Sequence, residues 1–189
     1  MATLMSTLFL LERAASPLGE MLVVTDEQGR LRALDWEDYA ERLHSLIQRQ
    51  YRGQPYSLQN TESRSDAARA VLRYFEGDMQ AIEQLPTQTG GTDFQQQVWA
   101  CLLTIPCGQT ISYGELANRI GNPKAVRAVG LANGANPISI VVPCHRVIGS
   151  NQRLTGYGGG LPRKQWLLQH EYAHTQQETE CGQLPLALR

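Results

Sequence analysis

The stretch that most constrains the fold is ISIVVPCHRVIGS, residues 138–150. Residues 138–142 form a short apolar run rich in β-branched side chains, which predicts a buried strand. Pro143 cannot continue a central strand, so we expect the strand to end there. A thiol and an imidazole, Cys144 and His145, then follow side by side at the mouth of this apolar element. We therefore expect the reactive side chains of the protein at this junction.

Cys144 is a candidate nucleophile, because a thiolate is a strong nucleophile once its surroundings help it to form. His145 cannot be assumed to assist thiolate formation, because adjacent residues of an extended chain point to opposite faces. Either the backbone turns at Pro143 or a water bridges the two side chains. A third group should orient the imidazole, and Glu171 is the candidate. It follows the predicted helix of residues 162–170, where a carboxylate would oppose the helix dipole, and this misfit indicates another partner.

The N-terminal part is predicted to consist of strands followed by helices. Three apolar segments separated by turn sequences predict strands: residues 7–15, 21–25 and 31–36. Amphipathic helices are expected at residues 37–49 and 66–75. The sequence therefore predicts an α/β N-terminal domain, a small sheet plus helices, over residues 1–89, and LPTQTGG contains the linker that follows it.

A mostly α C-terminal domain is expected over residues 90–174, followed by a polar tail, residues 175–189. A capping box at Thr92 begins its first helix, and Cys101 lies on the apolar stripe of that helix. The first 89 residues carry 9 basic and 13 acidic side chains, whereas the remainder carries 8 basic and 5 acidic ones. This asymmetry indicates an anionic partner for the second domain.

Residues 110–137, TISYGELANRIGNPKAVRAVGLANGANP, predict a helix-turn-helix within this domain. Ser112 and Glu115 form a capping box at the start of its first helix, which ends at Gly121. Two short helices joined by a turn that contains glycine are typical of proteins that bind nucleic acid, although many helical hairpins bind nothing.

The second helix of this motif is expected to begin at an Asn122 cap with Pro123 in its first position, and to end with a left-handed cap at Gly134. Its side chains are mostly small, with Lys124 at the start and Arg127 as the one long cation in the middle. Small side chains allow close backbone approach with little reading of base edges, which suits a minor groove. On periodicity alone, Arg127 is better explained as a solvated surface charge.

The overall composition is that of an ordinary globular protein, with 42% hydrophobic and 19% charged residues and a net charge of −1. The N-terminus has no basic residue before its apolar run, so we expect no signal peptide, no transmembrane segment and a cytoplasmic location. The cysteines at positions 101, 107, 144 and 181 are then reduced thiols. They include no CxxC pair, which argues against a structural zinc site.

The glycine-rich sequence TGYGGGL, residues 155–161, does not have the order of a phosphate-binding loop. We interpret it as backbone that passes close to a flat ligand, with Tyr157 as a stacking or wall residue. A flexible connection is the alternative.

Four segments together resemble the 6-O-methylguanine-DNA methyltransferases: PISIVVPCHRVIG, SYGELANRIGNPKAVRAVG, NGANP and TGYGGGL…KQWLLQHE. The length and the sequence TGGTDFQQQVW are similar to those of the constitutive bacterial type. The resemblance covers most of the chain and is weakest before residue 85. It implies a ribonuclease H-like N-terminal domain and DNA repair by direct reversal. An alkyl group would pass from the 6-oxygen of guanine, or the 4-oxygen of thymine, to the protein's own cysteine in a single turnover.

The resemblance also implies catalytic roles. Cys144 would accept the alkyl group, and His145 would act as base through a bridging water while Glu171 holds it. Asn136 would pin the turn after the second helix to the active-site loop. Tyr113 would donate a proton toward guanine N3 and neutralise the leaving base.

The resemblance further implies that Arg127 fills the space of the flipped nucleotide in duplex DNA. The residues expected to contact DNA are Ser112, Tyr113, Lys124, Ala125, Arg127 and Ala128. The residues expected around the base are Val147, Tyr157, Gly158, Gly159 and Lys164. Position 158 is a serine in some relatives, so only its backbone N–H is carried over.

The expected partner is double-stranded DNA that contains alkylated guanine or thymine. The zinc site of some relatives uses N-terminal cysteines that this chain lacks, so no metal is expected. A thioether does not hydrolyse, so the protein is consumed and needs no diffusible cofactor. We expect a monomer, which could assemble along DNA.

Three other interpretations compete with this one, and the second of them is disfavoured because Cys144 is present. A cysteine hydrolase or acyltransferase would turn over, and its histidine would normally lie far along the chain from the cysteine. A damage-binding relative without repair activity would lack the acceptor thiol. A plain DNA-binding module would carry the cysteine incidentally. Transfer of a labelled methyl group from DNA to protein would separate these alternatives.

Overall fold

The computed structural model describes residues 6–181. Its strands are β1 (Thr7–Ser16), β2 (Gly19–Asp26), β3 (Leu31–Trp36), β4 (Tyr56–Asn60), β5 (Ile111–Ser112) and β6 (Val147–Ile148). Its α-helices are α1 (Ala40–Gln50), α2 (Asp66–Phe75), α3 (Asp93–Leu102), α4 (Tyr113–Arg119), α5 (Val126–Gly134) and α6 (Leu161–Cys181). Short 3-10 helices span Glu37–Tyr39, Met79–Ile82 and Cys144–Arg146. No helix among these residues is long and apolar enough to cross a membrane.

The N-terminal part is built on a four-stranded sheet of order β3-β2-β1-β4. Strand β2 is antiparallel to both β1 and β3, and β4 is parallel to β1. The three predicted strands and the helix at residues 66–75 are confirmed. Strand β4 was not predicted, because YSLQN is polar and lies at the sheet edge, where its side chains stay largely exposed.

Both faces of the sheet are covered. The stripe Leu43, Leu46 and Ile47 of α1 is buried, and α1 packs on the face that carries Phe9 and Val24. The opposite face packs against α2 and the C-terminal helices in one continuous core. Strand β3 is consequently buried at every residue. Because β3 is buried on both faces, it can contact segments of the C-terminal half directly.

Edge strand β3 pairs with the segment that precedes Cys144. The Leu34 N–H donates to the Pro137 carbonyl at 2.9 Å, and the Ser139 N–H donates to the Leu34 carbonyl at 2.9 Å. The N-terminal sheet thus fixes the backbone five residues before the thiol.

The predicted strand at residues 138–142 is wrong. Only Ile138 makes a bridge, and the chain then turns, with Ile140 at φ 69°. The Asn136 side chain explains the turn, because its amide bonds the Ile138 N–H at 3.0 Å, the Ile138 carbonyl at 3.1 Å and the Val142 carbonyl at 2.8 Å. These backbone groups would otherwise pair with a neighbouring strand. A β-branched residue at positive φ is costly, so the surrounding bonds must maintain this conformation.

The helix-turn-helix is present, with α4 and α5 as its helices. Ser112 caps α4, and its hydroxyl accepts from the Glu115 N–H at 3.0 Å. The predicted reciprocal bond of a capping box is not formed, because Glu115 Oε1 instead accepts from Arg119 at 3.0 Å. The predicted start of the second helix is wrong. The Ala125 N–H donates to the Asn122 carbonyl at 2.9 Å, and this turn delays the start of α5 to Val126. Asn122 therefore belongs to the turn and does not cap the helix.

The predicted left-handed cap at Gly134 is also wrong. Gly134 is the last residue of α5, and its C-cap residue Ala135 has φ −88°. The chain runs directly into Asn136, whose side-chain bonds already determine the path of the following turn. A left-handed residue is not needed to end the helix.

Helix α6 is longer than predicted. It continues through Glu171 to Cys181, so Glu171 lies in mid-helix and the argument from an unfavourable helix end is wrong. The helix includes residues 175–181 of the segment expected to form a polar tail. The rest of that segment lies outside the described residues.

Candidate active site

The thiol and imidazole lie in the 3-10 turn Cys144–Arg146, which begins directly after Pro143. Cys144 is 4% exposed and His145 is fully buried. The backbone turn is one of the two solutions that the sequence allowed for adjacent residues to share a reaction. Strand β6 follows the turn and pairs with β5, which leads into α4. This pairing brings the start of α4, with Tyr113, to the side of Cys144.

His145 is oriented by Glu171. Its Nε2 lies 2.7 Å from Glu171 Oε1, and both side chains are fully buried. An ionised carboxylate can only accept, so Nε2 carries the hydrogen and Nδ1 of the neutral ring is the acceptor. His145 Nδ1 is buried and has no hydrogen-bond partner among the described residues. The ring therefore has one basic nitrogen available to take up a proton.

Glu171 is held by several donors besides His145. Arg146 donates through Nε to Oε2 and through Nη2 to Oε1, each at 2.9 Å. The Tyr74 hydroxyl donates to Oε1 at 2.9 Å, and the Gly108 N–H donates to Oε2 at 3.3 Å. Burial alone would raise the pKa of Glu171, but the hydrogen bonds of His145 and Arg146 and the charge of Arg146 outweigh it and lower that pKa. The carboxylate remains ionised and can stabilise a positive imidazolium.

Burial raises the pKa of Cys144, although Asn136, Arg42 and Lys164 oppose this shift. The resting side chain is therefore a thiol, and the nucleophile must form when a base removes its proton. Burial and the nearby Glu171 raise the pKa of Cys107 to about 12. Cys107 is thus a poor competitor for an electrophile.

Two phenols lie near the thiol. Burial, together with the proximity of Cys144, raises the pKa of Tyr113, which keeps its hydroxyl protonated as a donor. Burial raises the pKa of Tyr157 well above its usual value. The Tyr157 ring lies edge-on to His145, 6.4 Å between ring centroids, and 6.2 Å from the Trp36 ring.

Lys164 ties together the two segments around this region. Its Nζ donates to the Val147 carbonyl at 2.6 Å and to the Thr155 carbonyl at 2.8 Å. The side chain is fully buried, and this burial lowers the pKa of Lys164 to about 8. The lysine fixes the start of β6 against the start of the glycine-rich loop.

Two of the four glycines of the loop have close neighbours in the N-terminal part. A Cβ on Gly158 would overlap Arg42 Cζ, and one on Gly159 would lie 2.5 Å from Trp36 Cζ3. The glycine-rich sequence predicted a close approach to a ligand, whereas the neighbours in the structure are Arg42 and Trp36, which no local sequence signal revealed.

The residues expected to contact DNA lie on the helix-turn-helix. Lys124, Arg127 and Ala128 are exposed, whereas Ala125, Ser112 and Tyr113 are partly buried. Among the side chains that the structure describes, Arg127 forms no ion pair and no hydrogen bond. Its side chain is therefore free to meet a ligand. Over the same part of the chain, no cluster of His, Cys, Asp and Glu could hold a metal ion.

Comparison with known proteins gives consistent matches over both halves. Two family models match: "6-O-methylguanine DNA methyltransferase, ribonuclease-like domain" over residues 10–89, and "6-O-methylguanine DNA methyltransferase, DNA binding domain" over residues 93–173. The methylated-DNA–protein-cysteine methyltransferase of Shigella flexneri is 53% identical over 160 residues, which cover 85% of this chain and 94% of the relative. The protein of that name from Methanosarcina acetivorans is 43% identical over 157 residues, covering 82% and 94%.

Solved structures agree. The Mycobacterium tuberculosis O6-methylguanine methyltransferase has a TM-score of 0.71 at 39% identity, covering 88% of this chain and 94% of that one. The M. tuberculosis protein in complex with DNA has a TM-score of 0.68 at 39% identity, covering 87% and 94%. The predicted fold class, an α/β N-terminal part followed by a mostly α part with a helix-turn-helix, is confirmed. The chain belongs to the 6-O-methylguanine DNA methyltransferase family.

Proposed function

We propose that this protein repairs duplex DNA by transferring an alkyl group from the 6-oxygen of guanine, or the 4-oxygen of thymine, to Cys144. The observation that carries the proposal is the arrangement of a buried thiol beside His145, whose Nε2 is bound to Glu171 and whose Nδ1 is unpaired. This arrangement can take one proton from a thiol and stabilise the resulting charge. The names of relatives that are 43% and 53% identical support the substrate class.

The proposed reaction begins with proton removal from Cys144. The thiol proton passes through a bridging water to His145 Nδ1, and the ionised Glu171 stabilises the imidazolium. The thiolate sulfur attacks the alkyl carbon, a C–S bond forms, and the C–O bond to the base breaks. The electron pair of the broken bond stays on the guanine, where a hydrogen bond that the Tyr113 hydroxyl donates toward N3 stabilises the negative charge. The raised pKa of Tyr113 keeps the phenol protonated for this role, and the His145 imidazolium holds the proton that the thiol lost.

The remaining predicted residues have supporting roles in this proposal. Asn136 maintains the turn that leads to Cys144, and Lys164 holds the segments of Val147 and Thr155 together. The backbone of Val147 and Gly158, with Tyr157 and Gly159 beside it, would form the base pocket. A thioether does not hydrolyse, so each molecule reacts once and needs neither metal nor diffusible cofactor.

The alkylated base must leave the duplex to reach a buried thiol. Extruding a base costs a few kcal/mol, and least when the base pairs poorly. The small side chains Ala125 and Ala128, with Ser112 and Lys124 beside them, would lie against the minor groove. Arg127 would enter the stack in place of the flipped nucleotide. We include in the proposal a DNA-binding unit of residues 90–174 after an N-terminal domain of residues 1–89, acting as a monomer in the cytoplasm.

Stoichiometric label transfer tests the function. Duplex DNA with a tritium-labelled methyl group on the 6-oxygen of guanine is incubated with increasing amounts of protein, and protein-bound label is counted. We expect one methyl group per chain, with no further transfer when fresh DNA is added. Release of label as a small molecule with continued turnover would instead indicate a hydrolase. DNA binding without any transfer would leave only a binding module.

Arg127→Ala is expected to slow methyl transfer from duplex DNA by about 10–100-fold, because Arg127 then no longer offsets the few kcal/mol that extrusion of the base costs. Reaction with free 6-O-methylguanine should change less than about twofold, since no base is flipped in that assay. Arg52→Ala is the control, because Arg52 is an exposed arginine of the N-terminal part. Equal reductions of the transfer rate on duplex DNA and on the free base would show that Arg127 does not act in base flipping.

A further inference from the structure

Tyr74 connects the N-terminal part to the helix that carries Glu171. It lies on α2 and is fully buried. Its hydroxyl donates to Glu171 Oε1 at 2.9 Å, and its backbone carbonyl accepts from His170 Nε2 at 2.8 Å. The two rings also pack edge to face, with 5.3 Å between the Tyr74 and His170 centroids. One residue of α2 therefore contacts two successive residues of α6.

The oxygen that Tyr74 contacts is the one that orients His145. Glu171 Oε1 accepts from His145 Nε2 at 2.7 Å, from Arg146 Nη2 at 2.9 Å and from the Tyr74 hydroxyl at 2.9 Å. Arg146 also bonds the second oxygen, so it would tolerate a rotation of the carboxylate toward itself. Tyr74 is the neutral donor to Oε1, and its hydrogen bond would be lost if the carboxylate rotated away from it.

The phenol is suited to this task over a wide pH range. Burial and the adjacent Glu171 raise the pKa of Tyr74 well above its usual value, so the hydroxyl stays protonated and can only donate its hydrogen to the carboxylate. Phe75 packs against the same ring, 5.6 Å between centroids, and limits its movement. The hydroxyl is held in place by the surrounding packing as well as by its hydrogen bond.

We propose that Tyr74 is a positioning residue for alkyl transfer: its hydroxyl holds Glu171 Oε1 in line with His145 Nε2, so that the imidazolium is stabilised while the thiolate forms. This inference rests on the proposed function. It makes the N-terminal part a contributor to the reactivity of Cys144, since α2 lies outside the segment that carries the thiol. The sequence offers no sign of this role, because Tyr74 looks like any other apolar-face residue of an amphipathic helix.

The test is Tyr74→Phe, which removes one hydroxyl and keeps the ring. The matched control is Tyr51→Phe, because Tyr51 is also buried and its hydroxyl bonds Arg32 at 3.0 Å, away from Glu171. For Tyr74→Phe we expect transfer from free 6-O-methylguanine and from duplex DNA to slow by a similar factor, about tenfold. Affinity for unmodified duplex should stay within about twofold of wild type, since α2 is not part of the helix-turn-helix.

Two readouts separate positioning from general damage. The midpoint of Cys144 reactivity toward a small disulfide should move to higher pH in Tyr74→Phe and stay unchanged in Tyr51→Phe. The low-field proton resonance of His145 Nε2–H should move upfield in Tyr74→Phe alone, which reports a weaker bond to Glu171. Thermal unfolding of both variants provides the comparison for stability.

The outcomes are distinct. The proposal is overturned if Tyr74→Phe keeps the wild-type pH midpoint of Cys144 reactivity and the wild-type His145 Nε2–H resonance, even if the variant is less stable. Similar shifts in Tyr51→Phe would overturn it as well, because the effect would then not be local. If the wild-type protein transfers no methyl group, the proposed function fails, while the disulfide and resonance measurements still decide whether Tyr74 positions Glu171.

Discussion

Cys144→Ala is expected to reduce methyl transfer to below about one-thousandth of the wild-type rate, because no other group replaces the sulfur nucleophile. Affinity for duplex DNA should persist, since the exposed side chains of the helix-turn-helix are untouched. Alanine leaves a small space at a site that is 4% exposed, so the variant should still fold. Protein-bound label and a gel-shift titration measure the two properties on one preparation.

Cys101→Ala and Cys107→Ala are the matched controls, since both residues are partly buried cysteines of the same domain. Both variants should transfer one methyl group per chain. Mass spectrometry of the spent wild-type protein should find the added 14 Da, the mass of one CH₂ unit in about 21 kDa, on the peptide that contains Cys144. Label on either other peptide, or retained transfer in Cys144→Ala, would contradict the acceptor role.

Local sequence signals predicted what depends on local structure. The order Pro-Cys-His-Arg identified the thiol and imidazole, and the capped starts at Thr92 and Ser112 are confirmed. These predictions succeed because a capping residue bonds the backbone only two or three positions away. Glu171 was first connected to His145 by its position at a predicted helix end, an argument that the structure overturns, and then by the family resemblance.

The errors have a common physical origin in contacts between distant parts of the chain. The apolar run at residues 138–142 has the composition of a strand, but the Asn136 amide takes up its backbone groups and the segment turns. Periodicity does not reveal which residue of a helix will meet a distant carboxylate. Tyr74 and Arg42 were missed for that reason, since each acts on residues about 90 or more positions further along the chain.

The N-terminal part therefore does more than cover the C-terminal helices. Strand β3 bonds the segment before Cys144, Trp36 supports Gly159, and Arg42 bonds the carbonyls of Gly134 and Asn136. Each contact restrains a different segment around the thiol. An active site assembled from loops gains precision when a rigid sheet holds those loops from behind.

Glu171→Gln is expected to slow transfer by roughly 10²–10⁴-fold, because a neutral amide cannot stabilise the imidazolium that forms when Cys144 loses its proton. It should also lower the free energy of unfolding by about 3–5 kcal/mol, since Arg146 is left as a buried charge without its carboxylate. Glu37→Gln is the control, because its pair with Arg13 is about half exposed and is worth about 1 kcal/mol at most. Transfer rates and urea unfolding measure both effects.

The pH dependence of unfolding provides a further check on Glu171. Its pKa in the folded protein lies below the unfolded value of 4.5, so its contribution to stability is present above that pH and is lost as pH falls below it. The wild-type protein should therefore lose on the order of 1–2 kcal/mol relative to Glu171→Gln on acidification from pH 6 to pH 3. The difference in free energy of unfolding between the two proteins narrows, because the glutamine side chain does not take up a proton over this pH range. A gap that stays constant over this range would mean that Glu171 is not held as an ionised carboxylate, and the proton path from Cys144 through His145 would then lack the negative charge on which it depends.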